Sequence, residues 1–257
     1  YRKTWMNPFG GEWLTAVQMG SNQGLATEFY QPLDYRQRYF VRPFIGMDQR
    51  KVGLYFDDNR LAEYRTRESR LGVDLGVNLG VYGQAKVGWL ERQLRATLET
   101  GDPFFPDSKG SVGGVQFALA LDTQDFVFFP TKGYQAKLDY FEAVRESNLL
   151  GKYGRIEGRL NGAWSPGDLI FLGRVEGGQA THGTVPFVDA FALGGLGRLS
   201  AYAPNQIIGN EAYGLVSVQA QYRLNKPLPI LGLSVLAGVS YEAGYMKNPV
   251  TEPQLTG

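Results

Sequence analysis

Residues 155–164 read Arg-Ile-Glu-Gly-Arg-Leu-Asn-Gly-Ala-Trp, and this decade sets the period of the whole chain. Apolar residues or glycine fall at every second position (Ile156, Gly158, Leu160, Gly162, Trp164), and the residues between are mostly charged or amide (Arg155, Glu157, Arg159, Asn161, Ala163). A side-chain period of two belongs to a β-strand and sends the two sets to opposite faces of a sheet. The same dyad returns from Leu71 to Val81, from Val115 to Asp122, from Val216 to Leu224 and from Leu233 to Tyr245. No stretch sustains the three- and four-residue apolar spacing of a helix. The chain is therefore expected to be all-β, with one greasy face and one wet face throughout.

Which face looks where decides the class. The 257 residues are 43% hydrophobic, 20% charged and 13% aromatic, with 34 glycines and a formal charge of +1. That length suits one large β domain or two small ones. No linker, low-complexity stretch or second composition regime divides it, so one domain over residues 1–257 is expected. A soluble sandwich would alternate as well, but three features favour a transmembrane barrel. Full charges stand in mid-strand (Arg155, Arg159, Arg174, Glu176, Arg223). The runs from Arg60 to Tyr82 and from Ala85 to Thr100 far exceed an ordinary strand of about five or six residues. Aromatic residues cap the apolar face at strand ends (Trp13, Trp89, Trp164, Tyr213, Tyr245). Long strands, apolar outside and polar inside, with aromatic ends are what an outer-membrane barrel requires.

No run approaches the roughly 20 apolar residues of a membrane helix. There is no cysteine, which removes thiol chemistry and suits a periplasm-facing protein. The small net charge offers no case for nucleic acid, and no signal peptide is present. Tyr1 falls inside an expected strand, which places the natural N-terminus elsewhere.

Turn chemistry divides the chain into an up-and-down meander of about twelve strands, near 1–6, 12–20, 24–32, 39–56, 60–82, 85–100, 111–122, 134–146, 153–165, 168–180, 212–225 and 231–245. The breaks are rich in Asn, Asp, Pro and Gly: Asn7 to Gly11, Ser21 to Gly24, Asp57 to Arg60, Ser165 to Asp168 and Asn225 to Pro227. One interruption, 181–211, is too long for a hairpin, and its glycine-rich, apolar composition predicts a packed, functional loop.

Two motifs carry a family resemblance. Leu121-Asp122-Thr123-Gln124-Asp125-Phe126-Val127-Phe128-Phe129-Pro130-Thr131-Lys132-Gly133-Tyr134 resembles the D-T-x-D-x-x-x-F-P-T-x-G turn of the bacterial surface antigen superfamily of outer-membrane barrels. Phe191-Ala192-Leu193-Gly194-Gly195-Leu196-Gly197-Arg198-Leu199-Ser200-Ala201-Tyr202 resembles the G-G-x-x-x-V-R-G-F segment that those barrels tuck into the lumen. Its Leu-Gly-Gly…Leu-Ser-x-Tyr form is similar to the barrels that follow a patatin-like phospholipase domain, the type Vd autotransporters of type V secretion. Gly10-Gly11-Glu12-Trp13, Thr27 to Leu33 and Tyr241 to Gly244 are similar to that group too. The chain departs from the superfamily within this motif: Ser200 stands where the assembly factors place arginine, the nearest arginine is Arg198, and Ala201 stands where glycine is usual.

The resemblance implies a Gram-negative outer-membrane barrel of sixteen strands, with a lumen-inserted sixth external loop and a periplasmic turn at Asp122, Thr123, Asp125, Pro130 and Gly133. Twelve strands would then be part of it, with one strand before Tyr1, three after Gly257, and the terminal aromatic strand missing from a chain that stops at Gln254 to Gly257. It also implies dependence on the barrel-assembly machinery and a passenger domain N-terminal in the same polypeptide. Membrane lipid is the expected surrounding, and the outward aromatic and glycine surface suits pairing with a second copy into a homodimer.

The candidate site is structural rather than catalytic. A cation on an apolar loop in a lumen should seek a carboxylate, so Arg198 is expected to lock onto Glu176, Glu157 or Glu242. Gly194 and Gly195 permit a tight backbone, Ser200 joins the lock, and Phe191 and Tyr202 are the packing anchors. A patatin-type hydrolase needs a G-x-S-x-G elbow, which the chain lacks. His182, in Thr-His-Gly-Thr, has no base–nucleophile spacing. Asp122 and Asp125 read as turn residues, not metal ligands. No enzyme activity, metal or cofactor is expected. Three functions remain open: a translocator and anchor for an N-terminal patatin-like lipase domain, an assembly or insertion factor, and a general diffusion channel.

Overall fold

The computed structural model describes residues 1–56, 59–102, 107–146, 151–224 and 235–249. The strands are β1 (Arg2–Lys3), β2 (Glu12–Gln18), β3 (Gln23–Pro32), β4 (Tyr39–Phe56), β5 (Asn59–Asn78), β6 (Gly83–Thr100), β7 (Ser108–Asp122), β8 (Gly133–Glu146), β9 (Gly154–Trp164), β10 (Leu169–His182), β11 (Phe191–Leu193), β12 (Ile207–Arg223) and β13 (Leu236–Pro249). A 3₁₀ turn spans Phe187–Asp189. The expected turns at Asp57-Asp58 and Asn225 to Pro227, the start of the last strand at 231–234, and Gln254 to Gly257 lie outside the described residues.

All thirteen strands join one antiparallel sheet, each pairing with its sequence neighbour up to β10, which pairs with β12; β12 then carries β13. Among the described residues no pairing joins β1 to β13. The extra strand over the expected twelve is β11, which doubles back on β12 through Phe191↔Gly209 and Leu193↔Ile207. At the N-terminus only Arg2–Lys3 is strand, because Trp5 turns with φ 55° and the Met6 N–H closes onto the Gly11 carbonyl.

The alternation sorts as a membrane barrel requires. Leu71, Val73 and Leu75 are 57, 44 and 57% exposed, while Asp74 between them is fully buried. A sandwich would show the reverse. β5 has 20 residues, roughly 65 Å at about 3.3 Å per residue, twice the nine to eleven that cross a bilayer. The long strands therefore stand well clear of the apolar band.

The inner face is not uniformly wet. Leu94, Val112, Phe141, Ala143, Tyr153, Val185, Phe191, Leu193, Tyr213 and Leu215 form one buried cluster inside the curved sheet. Tyr213, expected on the lipid face, points inward instead: its ring lies 5.3 Å from that of Phe191 and its hydroxyl donates to Glu157 Oε1 at 2.5 Å. Its parity matches Ser217 and Gln219, the polar register of β12, and the apolar loop supplies the partner that makes an inward ring stable there.

Candidate functional site

The long loop is shorter than its sequence suggested, because β10 runs on to His182 and β12 begins at Ile207. Between them, residues 183–206 fold into the lumen and touch strands from opposite parts of the wall. Val185, Phe191 and Leu193 are each only 1% exposed, which supplies the apolar packing.

The first hold is electrostatic and sequence reading missed it. Asp189, at the end of the 3₁₀ turn, receives both arms of the Arg92 guanidinium on β6, at 2.8 and 3.0 Å. The Tyr153 hydroxyl donates to its Oδ2 at 2.8 Å, and Arg155 Nη1 on β9 lies 3.0 Å from Oδ1 while donating to its backbone carbonyl at 2.6 Å. Arg92 is shared with Glu68 at 2.7 Å and Arg155 with Glu157 at 2.6 Å. A carboxylate this buried is tolerable only because charge-assisted donors surround it. The cation–π stack of Arg155 over Phe191, 4.8 Å to the centroid, ties the charged and apolar anchors together.

The second hold is built from the motif residues. Arg198 Nε donates to Glu176 Oε1 at 2.7 Å, and its Nη2 donates to the Ala192 carbonyl at 3.0 Å. The Ser200 amide and hydroxyl donate to the two oxygens of Glu242, at 2.6 and 2.9 Å, while Ser200 Oγ accepts the Gly197 N–H at 3.0 Å. Of the three carboxylates proposed for Arg198, Glu176 takes it, Glu242 takes Ser200, and Glu157 serves Arg155 and Tyr213. Gly194 and Gly195 have φ of 116° and 102°, a region that favours glycine. Their amides donate to the carbonyls of Arg198 and Tyr202 at 2.9 and 3.0 Å, which turns the loop back on itself. Phe191 anchors the packing, but Tyr202 does not: it is 43% exposed, and its backbone rather than its ring is used.

The opposite end of the barrel carries the second motif. Asp125 Oδ1 accepts the amides of Phe126, Thr131 and Lys132 at 3.1, 2.8 and 3.1 Å, and Oδ2 accepts the Thr131 hydroxyl at 2.5 Å. The Thr131 hydroxyl and these amides hold the Asp125 carboxyl down at about 2. Asp122 accepts from the Gln124 amide and the Gln135 side chain, each at 3.0 Å, and Thr123 Oγ1 accepts the Tyr134 amide at 2.9 Å. Gly133 has φ 94°, and a Cβ there would sit 2.3 Å from the Thr123 carbonyl. Pro130 stands just ahead of Thr131, at the start of the return arm. The carboxylates are therefore turn caps. His182, at the end of β10, lies 3.3 Å from Glu142. Among the described residues no group of three or more His, Cys, Asp or Glu could hold a metal ion.

Between the two ends lies a polar chamber of about 700 Å³, lined by residues of both signs including Glu28, Arg42, Lys86, Asp139, Glu157 and Asp189. Its wall is pinned by Asp74, which accepts from Arg42 at 2.6 Å, Lys86 at 3.1 Å and Gln116 at 2.5 Å. One buried carboxylate thus ties four strands, β4 to β7. The arrangement can seat a loop and keep water beneath it.

A family model described as the Omp85 superfamily domain matches residues 10–245. Among solved structures, BamA from Haemophilus ducreyi lacking POTRA domains 1-3 is similar, with a TM-score of 0.72 at 12% identity over 95% of this chain and 53% of that one. The chain thus spans about half the length of that structure, and the likeness is one of fold. No curated protein matches the sequence.

Proposed function

This chain belongs to the Omp85 superfamily and to the Gram-negative outer membrane, and on that premise we propose that it is a non-enzymatic translocator and anchor for an N-terminal patatin-like lipase domain of the same polypeptide. The observation that carries this reading is the second hold on the loop. Arg198 with Glu176, and Ser200 with Glu242, are fastened through the residues in which this loop departs from the superfamily's usual segment. That same variant segment is the one similar to the patatin-linked barrels. The seated loop fills the lumen at one rim with apolar side chains. The chamber below interleaves both charge signs, so it can stay hydrated without gripping a passing chain. Insertion into the membrane falls to the barrel-assembly machinery, and any hydrolase chemistry belongs to the passenger.

The test uses the complete gene product in cells. Upstream of Tyr1 it is expected to carry a domain with a G-x-S-x-G elbow, reached by external protease. Its exposure should fall when Asp189→Ala and Arg198→Ala are combined. Periplasmic repeat domains upstream, with loss of other barrel proteins on depletion, would instead identify an assembly or insertion factor. If deleting residues 184–210 leaves ion conductance unchanged, the loop is no plug and the chain is a diffusion channel.

A further inference from the structure

The outward face of the wall above its apolar band is not neutral. On β5, β6 and β7 the outward residues form rows in register. Val73, Trp89 and Val115 make one row within the band, Leu71, Glu91 and Gly113 make the next, and above that come Ser69, Gln93 and Ser111. Two residues further along each strand, Arg67 lies opposite Arg95 and Arg95 opposite Lys109. All three of these cations are exposed, whereas Leu94 and Ala96 beside Arg95 are buried inside. Along the wall, composition therefore passes from apolar, through a mixed row holding Glu91 and then hydroxyl and amide, to cationic.

Cross-strand neighbours of like charge repel, with Cβ atoms about 5 Å apart, so the row costs stability as it stands. The nearby carboxylates Glu91, Glu99, Glu63 and Asp107 are engaged with other groups, Asp107 Oδ1 accepting the Leu98 amide at 2.9 Å. Glu91 is taken by Arg145 and the Trp89 indole, Glu99 by Lys51 and Arg65, and Glu63 by Lys51. Among the described residues Arg67 bonds only the Gln49 amide oxygen, at 2.7 Å, and Arg95 and Lys109 have no polar partner. Just below the row is a groove of about 390 Å³ with an apolar lip of Ile45, Met47 and Leu71 and a polar lip that includes Ser69, Gln93 and Ser111.

We propose that Arg67, Arg95 and Lys109 bind the phosphate groups of the outer leaflet's phosphorylated glycolipid, whose apolar part lies along the groove's lower lip. The level fits. Arg67 is four residues beyond Leu71, roughly 13 Å along the strand and about 10 Å in height at a tilt near 40°, which is headgroup depth. The rim is the one from which the lumenal loop descends, taken as the external side. The site rests on the outer-membrane location and not on the passenger, so the two can fail separately.

The test measures binding of diphosphoryl lipid A, its dephosphorylated form, phosphatidylglycerol and inorganic phosphate to the full chain in detergent. Each Lys or Arg near an anionic surface contributes about fivefold in affinity. Replacing all three (Arg67→Gln, Arg95→Gln, Lys109→Gln) should weaken diphosphoryl lipid A roughly 100-fold, and the dephosphorylated lipid should bind the unaltered chain just as weakly. Arg67→Lys with Arg95→Lys should retain most of the affinity. Should the triple variant fail to fold, Arg95→Gln alone carries the test, with about a fivefold loss. Unchanged binding by the glutamine variants, or equal binding of the two lipid A forms, overturns the site. Equal competition by phosphatidylglycerol or by inorganic phosphate overturns the assignment to that glycolipid.

Discussion

The two ends of the lumenal loop are fastened to the same wall by different physics. The 3₁₀ end buries Asp189 among two arginines and a tyrosine, in the middle of an apolar cluster. The motif end sets Arg198 and Ser200 against Glu176 and Glu242; Glu176 is as buried as Asp189, but Arg198 remains 28% exposed and Ser200 is open to water. Losing Asp189 takes a counter-charge from two arginines at once, each left with a single carboxylate, whereas losing Arg198 strands the one carboxylate of Glu176. The number of charges each hold neutralises, rather than fame as a motif, should rank the two holds.

The largest effect should therefore come from Asp189→Ala, which leaves Arg92 and Arg155 short of a counter-charge. A loss of about 3–5 kcal/mol is expected, read as the urea midpoint of the heat-shifted band on a gel. Arg198→Ala strands one buried carboxylate, Glu176, and about 2 kcal/mol is expected in the same assay. If Arg198→Ala exceeds Asp189→Ala, the ranking by the number of charges neutralised is wrong. Ser200→Ala removes one hydroxyl bond to Glu242 and keeps the amide bond, so roughly 1 kcal/mol should suffice. Smallest is the acid response of the far turn. The Asp125 carboxyl sits at about 2, below its ordinary 3.8, so its contribution is complete above about pH 4 and fades as pH falls through 2. Hydrogen exchange at the Thr131 and Lys132 amides should accelerate over that interval, and Asp125→Asn should remove the pH dependence.

Much of this was legible in the sequence, and the misses share a cause. The dyad located most strands to within a few residues and gave the outward set apart from Tyr213, which turns inward. The lock was readable because a lone arginine on an apolar loop must find a carboxylate, and Glu176 was among those named. Asp189, Arg92 and Tyr153 were not seen, because their attraction links strands far apart in the chain and leaves no local period. Yet a signal existed. Leu94, Val112, Phe141, Tyr213 and Leu215 all have the parity of the polar, inward residues on their strands. Apolar side chains in the wet register, gathered toward the loop end of several strands, mark where a plug will sit.

Asp189 stands 97 residues from Arg92 and 36 from Tyr153 in the chain, whereas neighbouring strands meet across short turns. Closing so large a circuit costs more chain entropy than zipping adjacent hairpins, so the clasp must form after the staves it spans are aligned. Until then Arg92 and Arg155 face an open, hydrated bore. The carboxylate thus acts as a keystone dropped in last, and its seating records that β6 and β9 have reached their final spacing.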